Sequence, residues 1–183
     1  MHVDPESGLI SPARFVGSPN FDTRPDGCVP EVLIIHAISL PPRQFGGPYV
    51  EQLFCNCLDV SHHEYFREIQ GLEVSSHLFI RRDGELIQFV PLGQRAWHAG
   101  VSECEGRQRV NDFSIGIELE GDDFTPFEEA QYECLAGVTR ALMDAYPDIS
   151  VDRIYGHADI APTRKTDPGP YFDWQRYRSR CSA

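Results

Sequence analysis

The spacing of apolar positions changes character several times along the chain, and each change predicts an element. Val32-Leu33-Ile34-Ile35-His36-Ala37-Ile38 is a short, almost continuous apolar run after Pro30, the pattern of a strand buried on both faces. Phe113 to Leu119 alternates instead. Phe113, Ile115, Ile117 and Leu119 share one face, while Ser114, Gly116 and Glu118 take the other. Leu72 to Ile80 and Glu85 to Val90 flank Arg81-Arg82-Asp83-Gly84, where the Asp-Gly pair predicts a hairpin. After Thr125-Pro126-Phe127-Glu128 the period becomes helical, through Tyr132, Leu135, Val138, Leu142 and Tyr146. Thr125 is expected as N-cap, Pro126 at the first helical position and Glu128 as the capping-box partner, with Pro147 ending the helix. Short helices are expected over 48–55 and 62–70, a weak strand over Arg153 to Tyr155, and a last helix over Asp173 to Arg180. Pro41-Pro42 and Gly46-Gly47 mark a long loop, and residues 1–30, broken at Pro12, Pro19, Pro25 and Pro30, read as irregular.

Strands interspersed with helices predict an α+β (mixed α/β) fold: one domain over 1–183 with a central mixed β-sheet flanked by helices. A chain of 183 residues with 41% hydrophobic content is long and apolar enough for a sizeable core. The formal net charge of −12 opposes the phosphate neutralisation that nucleic-acid binding rests on, and it disfavours an anionic membrane. No apolar run reaches membrane-span length, and the acidic start Met1-His2-Val3-Asp4-Pro5-Glu6 lacks the apolar core of a secretory signal, so a cytoplasmic location is expected. The six cysteines form no C-x-x-C pair, and Cys55-Asn56-Cys57 is too tight for usual zinc spacing. They read as reduced thiols without an assigned role.

The densest chemistry lies in Gly156 to Gly169, which gathers His157, Lys165 and Asp167 in a proline-stiffened loop. His36 stands inside an apolar run where Val or Ile would pack better. Each has a plain alternative: a satisfied core histidine, a loop histidine, a turn-forming Asp before Pro168-Gly169, a solvated lysine. Together, two histidines and one aspartate form a nitrogen and oxygen donor set suited to Zn²⁺ with an open position. Glu118 shares its strand face with the small Ser114 and Gly116, as a pocket floor would. It suits a general base, and the alternative that Glu118 is the ligand with Asp167 behind it stays open at this level. Two residues before Asp167, Lys165 points the same way in an extended segment and could meet a developing oxyanion. Trp97-His98-Ala99-Gly100 reads as a groove wall, His77 as a core or supporting residue, and Asp159 and Asp173 as turn or cap residues.

Four segments in order, His36 to Pro42, Arg95 to Ser102, Asn111 to Gly121 and Gly156 to Gly169, resemble the zinc amidases of the AmpD type, the 1,6-anhydro-N-acetylmuramoyl-L-alanine amidases. The likeness runs from about residue 10 to 178. It implies a mixed sheet flanked by helices and one zinc held by His36, His157 and Asp167. It implies Glu118 and Lys165 as catalytic residues, and muropeptide contacts from Trp97, Arg109 and Arg164. The implied substrate is a cytoplasmic anhydromuropeptide recovered in cell-wall recycling, whose level controls β-lactamase induction in some bacteria. Ala37 stands where relatives have Asn, and Ala158 where they often have Cys; neither change removes a ligand. The rivals are a muropeptide-binding module without catalysis, which would bind without turnover, and an amidase of intact wall, which would digest sacculi.

Overall fold

A computed structural model describes residues 1–181. Its centre is a six-stranded sheet in the order Ile154–Gly156, Val32–Ile38, Ser114–Glu120, Leu78–Ile80, Leu86–Gln88, Arg14–Phe15. Neighbours run parallel except Leu78–Ile80 and Leu86–Gln88, which pair antiparallel across the Asp83-Gly84 turn. The sheet is therefore mixed, as the interspersed pattern predicts.

The two long strands sit side by side at its middle, because only a strand buried on both faces tolerates a run such as Val-Leu-Ile-Ile. One face of the sheet, with Leu33, Ile35, Ile115, Ile117 and Leu119, packs on two helices: α2 (Glu129–Ala145) and α4 (Trp174–Cys181). Tyr132, Leu135, Val138 and Leu142 of α2 supply its helical stripe. The other face is covered at one end by the short α1 (Tyr49–Phe54), and around Val32 and Ile34 by the loops over Ala99, Cys104 and Val110.

Several boundaries differ from expectation. Helix α2 starts at Glu129 with Glu128 as cap, not at Pro126 with Thr125 as cap. The reason is Phe127, which is buried with its ring against Phe172. The chain stays extended at Glu128 to send that ring inward. Gln131 Oε1 then accepts the Glu128 amide, and Phe127 and Tyr132 both pack on Phe172, the staple arrangement one cap later. Residues 62–70 yield only one tight turn, Glu64–Arg67. Of the expected 72–80 strand only Leu78–Ile80 pairs in the sheet. The irregular start holds four two-residue strands, and Arg14–Phe15 closes the sheet edge beside Ile87. Ser114–Glu120 is buried along its whole length, so its polar face lies under other groups rather than in solvent.

Candidate active site

The site forms at the C-terminal ends of the parallel strands. His36 and Glu118 are register partners on neighbouring strands, so their side chains rise side by side from one face. Gly156 pairs with Ile35, and the next residue, His157, opens the short helix α3 (His157–Ile160) at the level of His36. Asp159 caps that turn by accepting the Gly156 amide at 2.7 Å, the structural part expected of it. The loop after α3 brings Asp167 back: the Ala158 amide donates to the Asp167 carbonyl at 2.9 Å. Gly156 permits the approach, since a Cβ there would lie 2.9 Å from Cδ of Pro168.

Three donor atoms converge. His36 Nδ1 lies 2.9 Å from His157 Nδ1, and each lies 3.1 Å from Asp167 Oδ2. The edge of a tetrahedral zinc site is about 3.3 Å at ordinary zinc–ligand distances, so a triangle of this size fits one small cation. The far nitrogens are engaged as metal-binding imidazoles require. His157 Nε2 reaches the Ala99 carbonyl at 3.2 Å, and His36 Nε2 lies 2.9 Å from His98 Nδ1. Burial drives the His36 imidazolium down to about 4, which leaves the ring neutral and fit to ligate. Burial alone would raise the Asp167 carboxyl, but the His157 and His36 imidazoles against its Oδ2 outweigh burial and hold the group below the usual carboxylate range.

Beside this cluster, Glu118 is only 9% exposed and its Oε2 has no hydrogen-bond partner among the described residues. Burial first, then the Asp167 charge, pushes its carboxyl well above the usual range; Lys165 opposes them. A buried carboxylate of raised proton affinity next to three converging donors can accept a proton from a water brought to the same place. Glu118, Lys165, His157 and Asp167 line one open cavity of about 540 Å³. Its lining combines apolar side chains such as Leu53, Tyr65 and Leu72 with polar ones such as Arg43, Asp122 and Asp123.

The remaining expected residues fall less neatly. Arg164 lines the cavity, yet its guanidinium donates to the Ala99 and Val101 carbonyls at 2.8 and 2.9 Å. Trp97 is half-buried with its indole on Asp22, and Arg109 is exposed and paired with Asp112 at 3.1 Å; both lie outside the lining of that cavity. His77 is a core residue, accepting the Gly116 amide through Nδ1 at 3.0 Å. The small face beside Glu118 is not an open floor. A Cβ on Gly116 would lie 2.4 Å from His98 Cγ, because the buried His98 imidazole fills that space. His98, read from sequence only as part of a groove wall, was the residue missed. The signal for it was present in Ser114-Ile115-Gly116: small residues on a buried strand face leave room for something bulky.

A match over residues 26–170 to the N-acetylmuramoyl-L-alanine amidase family accords with this fold and cluster, and the chain belongs to that family. Within it the chain is of the AmpD type. It is 57% identical over 173 residues to the 1,6-anhydro-N-acetylmuramyl-L-alanine amidase AmpD of Escherichia coli, covering 94% of each chain. Its fold superposes on a crystal structure of a selenomethionine AmpD derivative with a TM-score of 0.95 at 53% identity, covering 98% of this chain and 99% of the other. It also resembles the E. coli amidase AmiD in complex with anhydro-N-acetylmuramic acid-L-Ala-D-gamma-Glu-L-Lys, with a TM-score of 0.61 and 30% identity over 86% of this chain and 60% of that one.

Proposed function

We propose that the chain hydrolyses the amide between the lactyl group of 1,6-anhydro-N-acetylmuramic acid and the L-alanine of the stem peptide, with one Zn²⁺ held by His36, His157 and Asp167. The observation that carries this reading is the unpartnered Oε2 of Glu118 beside the three converging donors. A buried carboxylate oxygen left without a partner is a cost that a general base explains and a module that only binds does not. Zinc at such a cluster supplies Lewis acidity for the amide carbonyl and lowers the pKa of a nearby water.

The chain's own residues do the rest. Glu118 takes a proton from the attacking water as the water oxygen bonds to the lactyl carbonyl carbon. The Lys165 ammonium offsets the negative charge that develops on the carbonyl oxygen. As the carbon–nitrogen bond breaks, Glu118 passes its proton to the departing L-alanine amine, so the carboxylate is restored. The anhydro-sugar form of the substrate is supported by the names of the relatives and by the ligand held in the AmiD complex. No described helix is long and apolar enough to cross a membrane, and the six cysteines are unpaired, which suits a reducing cytoplasm and a role in cell-wall recycling. There the reaction would also remove muropeptides that signal for β-lactamase.

The test is purified protein with an anhydromuropeptide, with and without added zinc, and stem-peptide release followed by chromatography. Release in the zinc sample is expected; none would overturn the reading. Intact sacculi in parallel should release far less.

A further inference from the structure

A histidine that uses Nδ1 as a metal ligand carries its ring proton on Nε2. For His36 that proton points at His98 Nδ1, 2.9 Å away, so His98 must accept there. A neutral imidazole that accepts through Nδ1 carries its own proton on Nε2. That atom lies 3.1 Å from Ser114 Oγ, which can accept it. One tautomer assignment therefore satisfies both contacts with no proton opposed to another. The rings of His36 and His98 meet edge to face, with centroids 5.1 Å apart at 83°.

His98 is also fixed from behind. The His98 and Ala99 amides both donate to Asn111 Oδ1, at 3.3 and 2.8 Å. The space its ring occupies exists only because residue 116 has no Cβ. The next residue serves the other histidine: the Ala99 carbonyl accepts from His157 Nε2. Two consecutive residues of one loop thus hold both imidazoles of the cluster, one through a side chain and one through a carbonyl.

We propose that His98, backed by Ser114, is a positioning residue that holds His36 in the tautomer and orientation that aim Nδ1 at the metal. The proposal rests on the zinc reading above. Its role is orientation, exerted through His36.

The test measures zinc affinity by competition with a chromophoric chelator, and the visible spectrum of the Co²⁺-loaded protein. Native protein is compared with His98→Leu, His98→Gln and Ser114→Ala, each checked for folding by circular dichroism. His98→Leu keeps the bulk but lacks an acceptor, and should weaken zinc binding about 10–100-fold and alter the cobalt bands. His98→Gln, whose carbonyl can accept from His36, should recover most of the loss. Ser114→Ala disturbs packing least and should weaken binding about tenfold. A folded His98→Leu with native zinc affinity and cobalt spectrum overturns the proposal. If that variant does not fold, unchanged affinity in Ser114→Ala overturns it equally. A native chain that takes up no zinc overturns the zinc reading itself, and this proposal with it.

Discussion

The site has two halves built in different ways. His36 and Glu118 stand on neighbouring strands of the central sheet, register partners with almost no solvent access. Their separation and common direction follow from the parallel ladder, which has no freedom to change without unpairing the core. His157, Lys165 and Asp167 come from α3 and the loop after it, where no ladder sets the distances. There the geometry is assembled from single bonds: the Ala158 amide on the Asp167 carbonyl, the Arg164 guanidinium on two carbonyls, the Thr166 hydroxyl on Asp123 at 2.6 Å. Substitutions in the strand half should therefore change chemistry with the frame intact. Substitutions in the loop half should change chemistry and local stability together.

The sharpest break is at His36. His36→Ala should lose zinc, measured by metal analysis, and take turnover to background while the helical circular dichroism signal persists. Next is Glu118→Gln, expected to retain zinc and lower kcat/KM by about 10²–10⁴-fold, the usual range for a lost general base. Retained activity would remove Glu118 from its assigned role. On the loop side, Lys165→Met should lower kcat by about 10²-fold with KM little changed, as for one lost oxyanion partner. A rise in KM alone would mark the lysine as a substrate contact instead.

The smaller effects compare stability. Arg164→Ala frees the Ala99 and Val101 carbonyls and should cost about 1 kcal/mol, a Tm lower by about 2–4 °C, with a modest loss of zinc affinity. Glu118→Gln should act in the opposite sense. The Glu118 carboxyl holds its proton more tightly in the folded protein than in the unfolded chain, where it titrates near 4.5. Above that pH the folded state binds more protons, so the native metal-free protein loses stability as pH rises through the folded pKa. The glutamine removes this loss. Thermal melts of metal-free protein over about pH 5–8 should show a higher Tm for the variant, with the gap widening toward the alkaline end. A variant equal to native throughout would mean that the carboxylate is not strained by burial.

Much of this was legible from residue order, for identifiable reasons. The run around His36 and the alternation before Glu118 are strand patterns that few other structures tolerate, and both strands lie where expected. The triad candidates were readable because His36 breaks an apolar run and because prolines stiffen the loop that carries Asp167. The start of α2 was not, because Thr125-Pro126 is good capping chemistry that lost to the burial of Phe127. Trp97 and Arg109 are muropeptide contacts by resemblance alone, and the partners that set their side chains, Asp22 and Asp112, could not be read from residue order. Residues 1–30 look formless alone; His2-Val3 and Ile10-Ser11 pair with each other, while Arg14-Phe15 and Phe21-Asp22 gain their partners from Ile87-Gln88 and Arg95-Ala96.

By itself the sequence determined the two central strands, the long helix and a set of candidate donors, since these rest on local periodicity and on residue chemistry, while the family and the choice of Asp167 over Glu118 as third donor followed from the resemblance of four segments. Tertiary structure decided which groups meet. It set His36 beside Glu118 through parallel register, closed the triangle through a contact between Gly156 and Pro168, and filled the space over Gly116 with His98. Each of these joins residues far apart along the chain, and such distances follow from packing rather than from any local pattern.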